Sequence, residues 1–220
     1  MTAGGSPTRV RIAAGTNRVT VDARAGAAFA LSGKADLVDD AGQITIDRVR
    51  SSITVTVPEG SEIVIGTSTG RVRCTGRLGA VAVTTKTGRV DVDAAASVDV
   101  RAATSTVTIG VVTGTCRVHT KSGRVRIDEA GDTEVSTRSG RITLANVRGA
   151  VTAHSITGRV HVAMSESRDV NAETVTGRIE LRLPRSAATD TPAGATLPPP
   201  HIAPTVHTRS TTGRVVVTYE

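Results

Sequence analysis

Arginine recurs in one short phrase along the chain: Ser or Thr, then Gly, then Arg, then Val or Ile. The copies place Arg71, Arg89, Arg124, Arg141, Arg159, Arg178 and Arg214 in the same slot, with Ser122-Gly123-Arg124-Val125 a representative copy. A guanidinium is permanently charged and presents its donors as a planar fork, so it matches carboxylate, sulfate or phosphate in a bidentate way. A line of such forks is chemistry for holding a repeating anion, not for breaking a bond. The spacing argues for a line. A degenerate copy, Ser105-Thr106-Val107-Thr108-Ile109, fills the gap after Arg89, and successive steps from Arg71 through Thr106 to Arg178 are 18, 17, 18, 17, 18 and 19 residues. The step to Arg214 is 36. Charges stacked one strand spacing apart, about 4.8 Å, repel by roughly 0.9 kcal/mol even in water. Such a column must fan out, gather counter-ions or intercalate acids. Asp91, Asp93, Asp128 and Glu180 follow the arginines on the same outward faces. A self-neutralised Arg/Asp ladder therefore stands beside the anion-binding stripe.

A second, weaker set is His119, His154 and His207, read as one outward slot with Glu173 between the last two. Stacked His and Glu can ligate zinc, which makes His154, Glu173 and His207 weak metal candidates, although an ordinary solvated surface is the better reading and no cofactor is expected. Nucleophilic catalysis finds little support. The many Ser and Thr hydroxyls sit at repeated positions, where they can pair between coils and satisfy a bend, and no Ser or Cys stands apart from the repeat beside a His and an acid. The reading is that the protein is not an enzyme.

What positions the arginines is a repeated strand. Before each Gly runs apolar-x-Thr/Ser-x-Ser/Thr, as in Val118-x-Thr120-x-Ser122 and Val135-x-Thr137-x-Ser139. After each Arg runs strict alternation, as in Val125/Ile127, Ile142/Leu144 and Val160/Val162. Period-2 patterns of β-branched residues are half-buried strands, and the Gly between them supplies a sharp bend. A fixed period near 18 is the signature of a solenoid with one coil per repeat. The predicted fold is all-β, a single-stranded parallel β-helix (β-solenoid) with coils of about 18 residues. Roughly ten coils at about 4.8 Å give a rod on the order of 50 Å long.

Composition agrees. Phe29 and Tyr219 are the only aromatics in 220 residues, so the core must be narrow and filled by stacked Val, Ile, Ala and Thr. The net charge of +7, carried mostly by arginine, points to an anionic polymer or surface or, more blandly, to solubility. A nucleic-acid ligand would be held through phosphate alone. No aromatic platform exists to stack bases, and about seven neutralised phosphates would give a salt slope on the order of −6. The same shortage argues against a carbohydrate groove of the usual kind, which stacks sugar on Trp or Tyr. Cys74 and Cys116 fall at inward positions of different coils, too far apart for a disulfide, and read as buried fillers. No apolar leader or membrane span is visible, so a cytoplasmic location is expected for the chain as given, with no transmembrane segment.

In order along the chain, residues 1–60 read as an N-terminal cap with irregular first coils. Arg18-Val19-Thr20-Val21 and Ser52-Ile53-Thr54-Val55 look like eroded copies, and Phe29 could plug the stack. Residues 61–183 are regular coils. Residues 184–205, rich in proline from Pro184 to Pro204, cannot join a ladder and read as a loop or arm. Residues 206–220 close the stack with one last coil.

At Val55-Thr56-Val57-Pro58-Glu59-Gly60, then Thr67-Ser68-Thr69-Gly70-Arg71-Val72, then the repeated Ser/Thr-Gly-x-Val/Ile, and finally Ile179 to Pro184, the chain resembles a large bacterial family of β-strand-repeat proteins of unknown function known as adhesin-like. The resemblance covers roughly residues 40–220. It implies a right-handed parallel β-helix without assigned catalytic residues. Members often carry Asp after the repeated Gly, where this chain has Arg. The expected function is a non-enzymatic binding or scaffold protein, adhesin-like, presenting a basic Arg-lined face. The alternatives are a self-assembling intracellular scaffold of bactofilin type and a polyanion or nucleic-acid binder acting through phosphate contacts. The partner is accordingly an anionic polymer or surface, or a second copy of the chain.

Overall fold

A computed structural model describes residues 8–40, 43–166, 168–184 and 205–219. Every regular element among them is a strand: β1 (Arg9–Ala14), β2 (Val19–Arg24), β3 (Ala30–Ser32), β4 (Asp36–Asp40), β5 (Gln43–Asp47), β6 (Ile53–Pro58), β7 (Glu62–Val112), β8 (Cys116–Ala130), β9 (Thr133–Val147), β10 (Val151–Met164), β11 (Val170–Leu183) and β12 (Val206–Tyr219). From β7 onward each strand runs through its glycine bend without interruption, and β7 winds through several coils in succession.

The coils stack in parallel and in register. Val107 lies over Val125, Val125 over Ile142, Ile142 over Val160, Val160 over Ile179 and Ile179 over Val215. Alternation explains the core. In β9, Thr133, Val135 and Thr137 face inward before the bend and Ile142, Leu144 and Val147 after it, all buried. Both halves of every coil feed one continuous apolar cluster. Burying each Val, Ile or Leu contributes about 1.5–3 kcal/mol, and the narrow space between facing strands suits branched aliphatics. The fold is thus an all-β solenoid.

The N-terminal third departs from a simple succession of coils. β1 lies between β5 and β7, and β2 lies between β6 and β7. The coil built from β1 and β2 is therefore second in the stack, although first in sequence. The later pair, β5 and β6, forms the outermost layer. The chain then crosses back through Pro58–Ser61, where Gly60 takes φ 78° and the Glu62 N–H donates to the Thr8 carbonyl at 3.0 Å. The outermost layer is itself covered, because β4 pairs antiparallel with β5 and β3 antiparallel with β6. Phe29, Leu31 and Ala35 pack against the core. Covering the end in this way replaces the in-register edge of a coil with short antiparallel strands.

The other end is different. β12 pairs only with β11 among the described residues. Val215 and Val217 are 37% and 36% exposed, whereas their counterparts one coil below, Ile179 and Leu181, are fully buried. The proline-rich arm expected over 184–205 lies, from 185 to 204, outside the described residues. No helix among the described residues is long and apolar enough to cross a membrane.

Candidate functional site

The bend determines where the arginines stand. At Gly140 the backbone takes φ 149°, a region that L side chains rarely enter, and a Cβ there would collide with the Gly123 carbonyl oxygen of the preceding coil. The same collision recurs up the stack, each glycine resting on the carbonyl of the one below. Only glycine allows the strand to turn this sharply while the coils stay one strand spacing apart. From β7 onward Ser105 is the exception. It lies under Gly123, avoids the positive-φ backbone, and buries a hydroxyl with no hydrogen-bond partner.

Immediately after each bend residue comes the predicted arginine, and the register brings these side chains together. Thr106 pairs with Arg124, Arg124 with Arg141, Arg141 with Arg159, Arg159 with Arg178, and Arg178 with Arg214. Thr106 and these five arginines line a groove of about 850 Å³ whose floor is the glycine row from Gly123 to Gly213. Below Thr106 a second groove of about 630 Å³ is lined by Arg18, Arg71, Arg89, Gly70 and Gly88. All of these arginines are exposed. On the far side of the glycines runs a parallel row of hydroxyls: Thr104, Ser122, Ser139, Thr157, Thr176 and Thr212.

Arg18 belongs to the column although the repeated phrase does not mark it. Val19 pairs with Ile53 on one side and Val72 on the other, which sets Arg18 between Ser52 and Arg71. Its Val-Thr-Val strand was legible as an eroded repeat. Its place beside Arg71 was not, since that depends on the order in which the coils stack.

Neutralising acids are almost absent from this edge. Arg178 reaches Glu180 at 3.6 Å. No ion pair involves Arg18, Arg71, Arg89, Arg124, Arg141, Arg159 or Arg214 among the described residues. Asp128 is taken by Arg126 at 2.8 Å, and Asp91 and Asp93 lie with Arg73 and Asp128 in a separate depression. The self-neutralised ladder is therefore reduced to one rung. Elsewhere ion pairing is more frequent, although Arg11, Arg50, Arg73, Arg77, Arg138 and Arg209 also have no ion pair among the described residues. Arg9, Arg24, Arg48, Arg101, Arg117, Arg126, Arg148 and Arg168 each pair with a carboxylate.

The histidine column needs correction. His119, Ser136, His154 and Glu173 share one outward row, but the next residue in it is Arg209, and His207 lies over Asn171. Gly213 locks directly over Gly177, and counted from the glycine His154 stands four residues back and His207 six. His207 thus falls out of the proposed metal set. His154 and Glu173 do meet, Nδ1 to Oε2 at 3.6 Å. A second pair, His161 with Glu180 at 3.5 Å, lies past the bend and was not foreseen. No cluster of three metal-ligating side chains forms among the described residues.

Inward hydroxyls satisfy the bend in part. Thr120 and Thr137 donate to the carbonyls of Ser122 and Ser139 at 3.1 and 3.2 Å, and Thr67 crosses between coils to the Gly15 carbonyl at 3.0 Å. Ser155, Thr174 and Ser210 find no partner. Cys74 and Cys116 are free and buried, as expected, and burial pushes both thiols up to about 12.

Comparison with known proteins agrees with this architecture. The profile of the family described as Toastrack DUF4097 matches residues 14–195. Among solved structures, the chain is similar to a "putative adhesin" from Bacteroides fragilis, at 15% identity and a TM-score of 0.54, over 99% of this chain and 94% of that one. At that identity the likeness bears on fold alone. No curated protein matches. With most of its length matched and the solenoid repeat in place, the chain belongs to the Toastrack DUF4097 family.

Proposed function

We propose that this protein is a non-enzymatic, adhesin-like binding module whose arginine-lined bend edge holds an anionic partner. The observation that supports it most is the missing counter-charge. Seven of the eight bend arginines have no carboxylate within ion-pairing reach among the described residues, whereas at least eight of the fifteen other described arginines do. Uncompensated like charges one strand spacing apart oppose folding, so their presence in every coil but two, those of Ser52 and Thr106, favours a role outside the fold. Family membership leaves the ligand open, and the adhesin description of the structural neighbour is a fold-level analogy. We further take the coil to be the right-handed, single-stranded β-helix that the resemblance implies.

Chemistry at the surface weighs the same way. Ser136, His154 and Glu173 stand in one row across adjacent coils, which has the residue types of a hydrolytic triad. No hydrogen bond joins Ser136 to His154, and the row lies on an open strand face without converging donors for an oxyanion. The buried thiols are held protonated and out of reach. The self-assembling alternative needs two open ends, and β3 and β4 cover one of them. The test is retention on heparin and on duplex DNA as salt rises. Wild type should be retained, and Arg124→Ser/Arg141→Ser/Arg159→Ser should elute much earlier. Equal elution of the two proteins would make the column structural. Filaments seen by electron microscopy at low salt would favour the assembly reading.

A further inference from the structure

Resting on that reading, we infer that the groove from Arg124 to Arg214 is built for a linear acidic polysaccharide, a chain of uronic acid sugars lying along the solenoid axis. Each coil contributes the same set: one guanidinium, one stretch of glycine backbone as floor and, beyond the floor, one Ser or Thr hydroxyl. The complement of that set is a polymer whose repeat carries one anion together with hydroxyls, and a uronic acid is such a repeat. The dimensions agree. Coils recur about every 4.8 Å, and a glycosidically linked pyranose advances its chain by close to one strand spacing. Long arginine side chains can reach carboxylates on either edge of the polymer and engage them bidentately.

Other polyanions fall out of step. An extended acidic peptide presents carboxylates about every 3.3–3.4 Å on alternating faces and about every 6.6–6.8 Å on one face. Five would span about 13 Å or about 27 Å, against about 19 Å for the five arginines. Duplex DNA places phosphates about 3.4 Å apart along each strand, and the edge offers no aromatic for a base. The lack of Trp and of any Tyr along the groove excludes the usual stacking of a neutral sugar. It does not exclude a sugar gripped by its carboxylate above a floor free of side chains. Thr106, with Ser105 replacing glycine in the same coil, divides the column into five arginines above and three below.

The experiment is calorimetric titration of the whole chain with oligogalacturonates of two to ten sugars, with polyglutamate, duplex DNA and heparin as comparators at one ionic strength. Affinity should climb at least tenfold from dimer to pentamer and then stay flat within about twofold. Polyglutamate of equal charge should bind at least tenfold more weakly. Thr106→Arg should move the plateau beyond five sugars. A plateau elsewhere, or polyglutamate binding equally well, overturns the inference. Heparin or DNA binding that depends on Arg124, Arg141 and Arg159, with no binding of oligogalacturonate, sinks the assignment to a chain of uronic acid sugars and leaves the anion-binding edge standing. Loss of binding to every polyanion sinks both.

Discussion

Two populations of arginine share this molecule. On the strand faces and loops, residues such as Arg117, Arg126 and Arg148 are matched with Glu134, Asp128 and Glu129. On the bend edge, arginines stack on arginines above a row of glycines, and only Arg178 finds an acid. The paired population is placed as a soluble surface requires. The unpaired one costs repulsion that its neighbours do not relieve. The fold accepts it because the glycine bend, not the arginine, fixes the geometry. The two populations should therefore respond oppositely to substitution.

The largest effect should come from the bend itself. Gly140→Ala places a methyl against the Gly123 carbonyl at φ 149° and should cost on the order of 3 kcal/mol, read by urea unfolding. Gly15→Ala, where nothing lies within 4 Å, should be near neutral. Comparable losses at both sites would remove the stacking explanation. Alkaline stability should come next. The two thiols go from an ordinary value of 9.0 to about 12 on burial. The folded state therefore holds protons that the unfolded chain releases, and their contribution is complete below pH 9 and lost as pH rises toward 12. Unfolding curves at pH 8 and 11 should diverge more for wild type than for Cys74→Ala/Cys116→Ala.

Thr174→Val should stabilise by about 1 kcal/mol, because it removes a buried, unpartnered hydroxyl at nearly constant shape. A loss there would mean that the hydroxyl has a partner after all. The smallest effect sharpens the contrast most. Arg148→Ser breaks an exposed pair with Glu129 and should cost less than about 1 kcal/mol. Arg141→Ser should leave thermal stability unchanged or slightly raised.

Much of this was legible in the sequence, for a physical reason. Strand pairing one coil apart forces like residues over like, so a spacing of 17–19 between Arg124 and Arg178 was already a statement about contact. The spacing could not show the order of the coils. Residues 9–24 lie between 43–58 and 62–77 because the chain doubles back, and a period marks a coil without naming its neighbours. The place of Arg18 beside Arg71 was hidden by that step. Ion pairing was hidden as well. Asp128 faces outward near the column as expected, yet it is nearer in the strand to Arg126 and pairs there. The slot of His207 was recoverable, since the distance back from Gly213 already sets it over Asn171.

The most direct test is the salt dependence of polyanion binding, measured side by side for wild type and Arg124→Ser/Arg141→Ser/Arg159→Ser on a defined DNA duplex. An edge that meets its partner through uncompensated guanidiniums should lose about 0.9 from the log–log slope for each arginine removed, so about 2.7 for the three. An unchanged slope, with unchanged affinity, would mean that these arginines touch nothing but water.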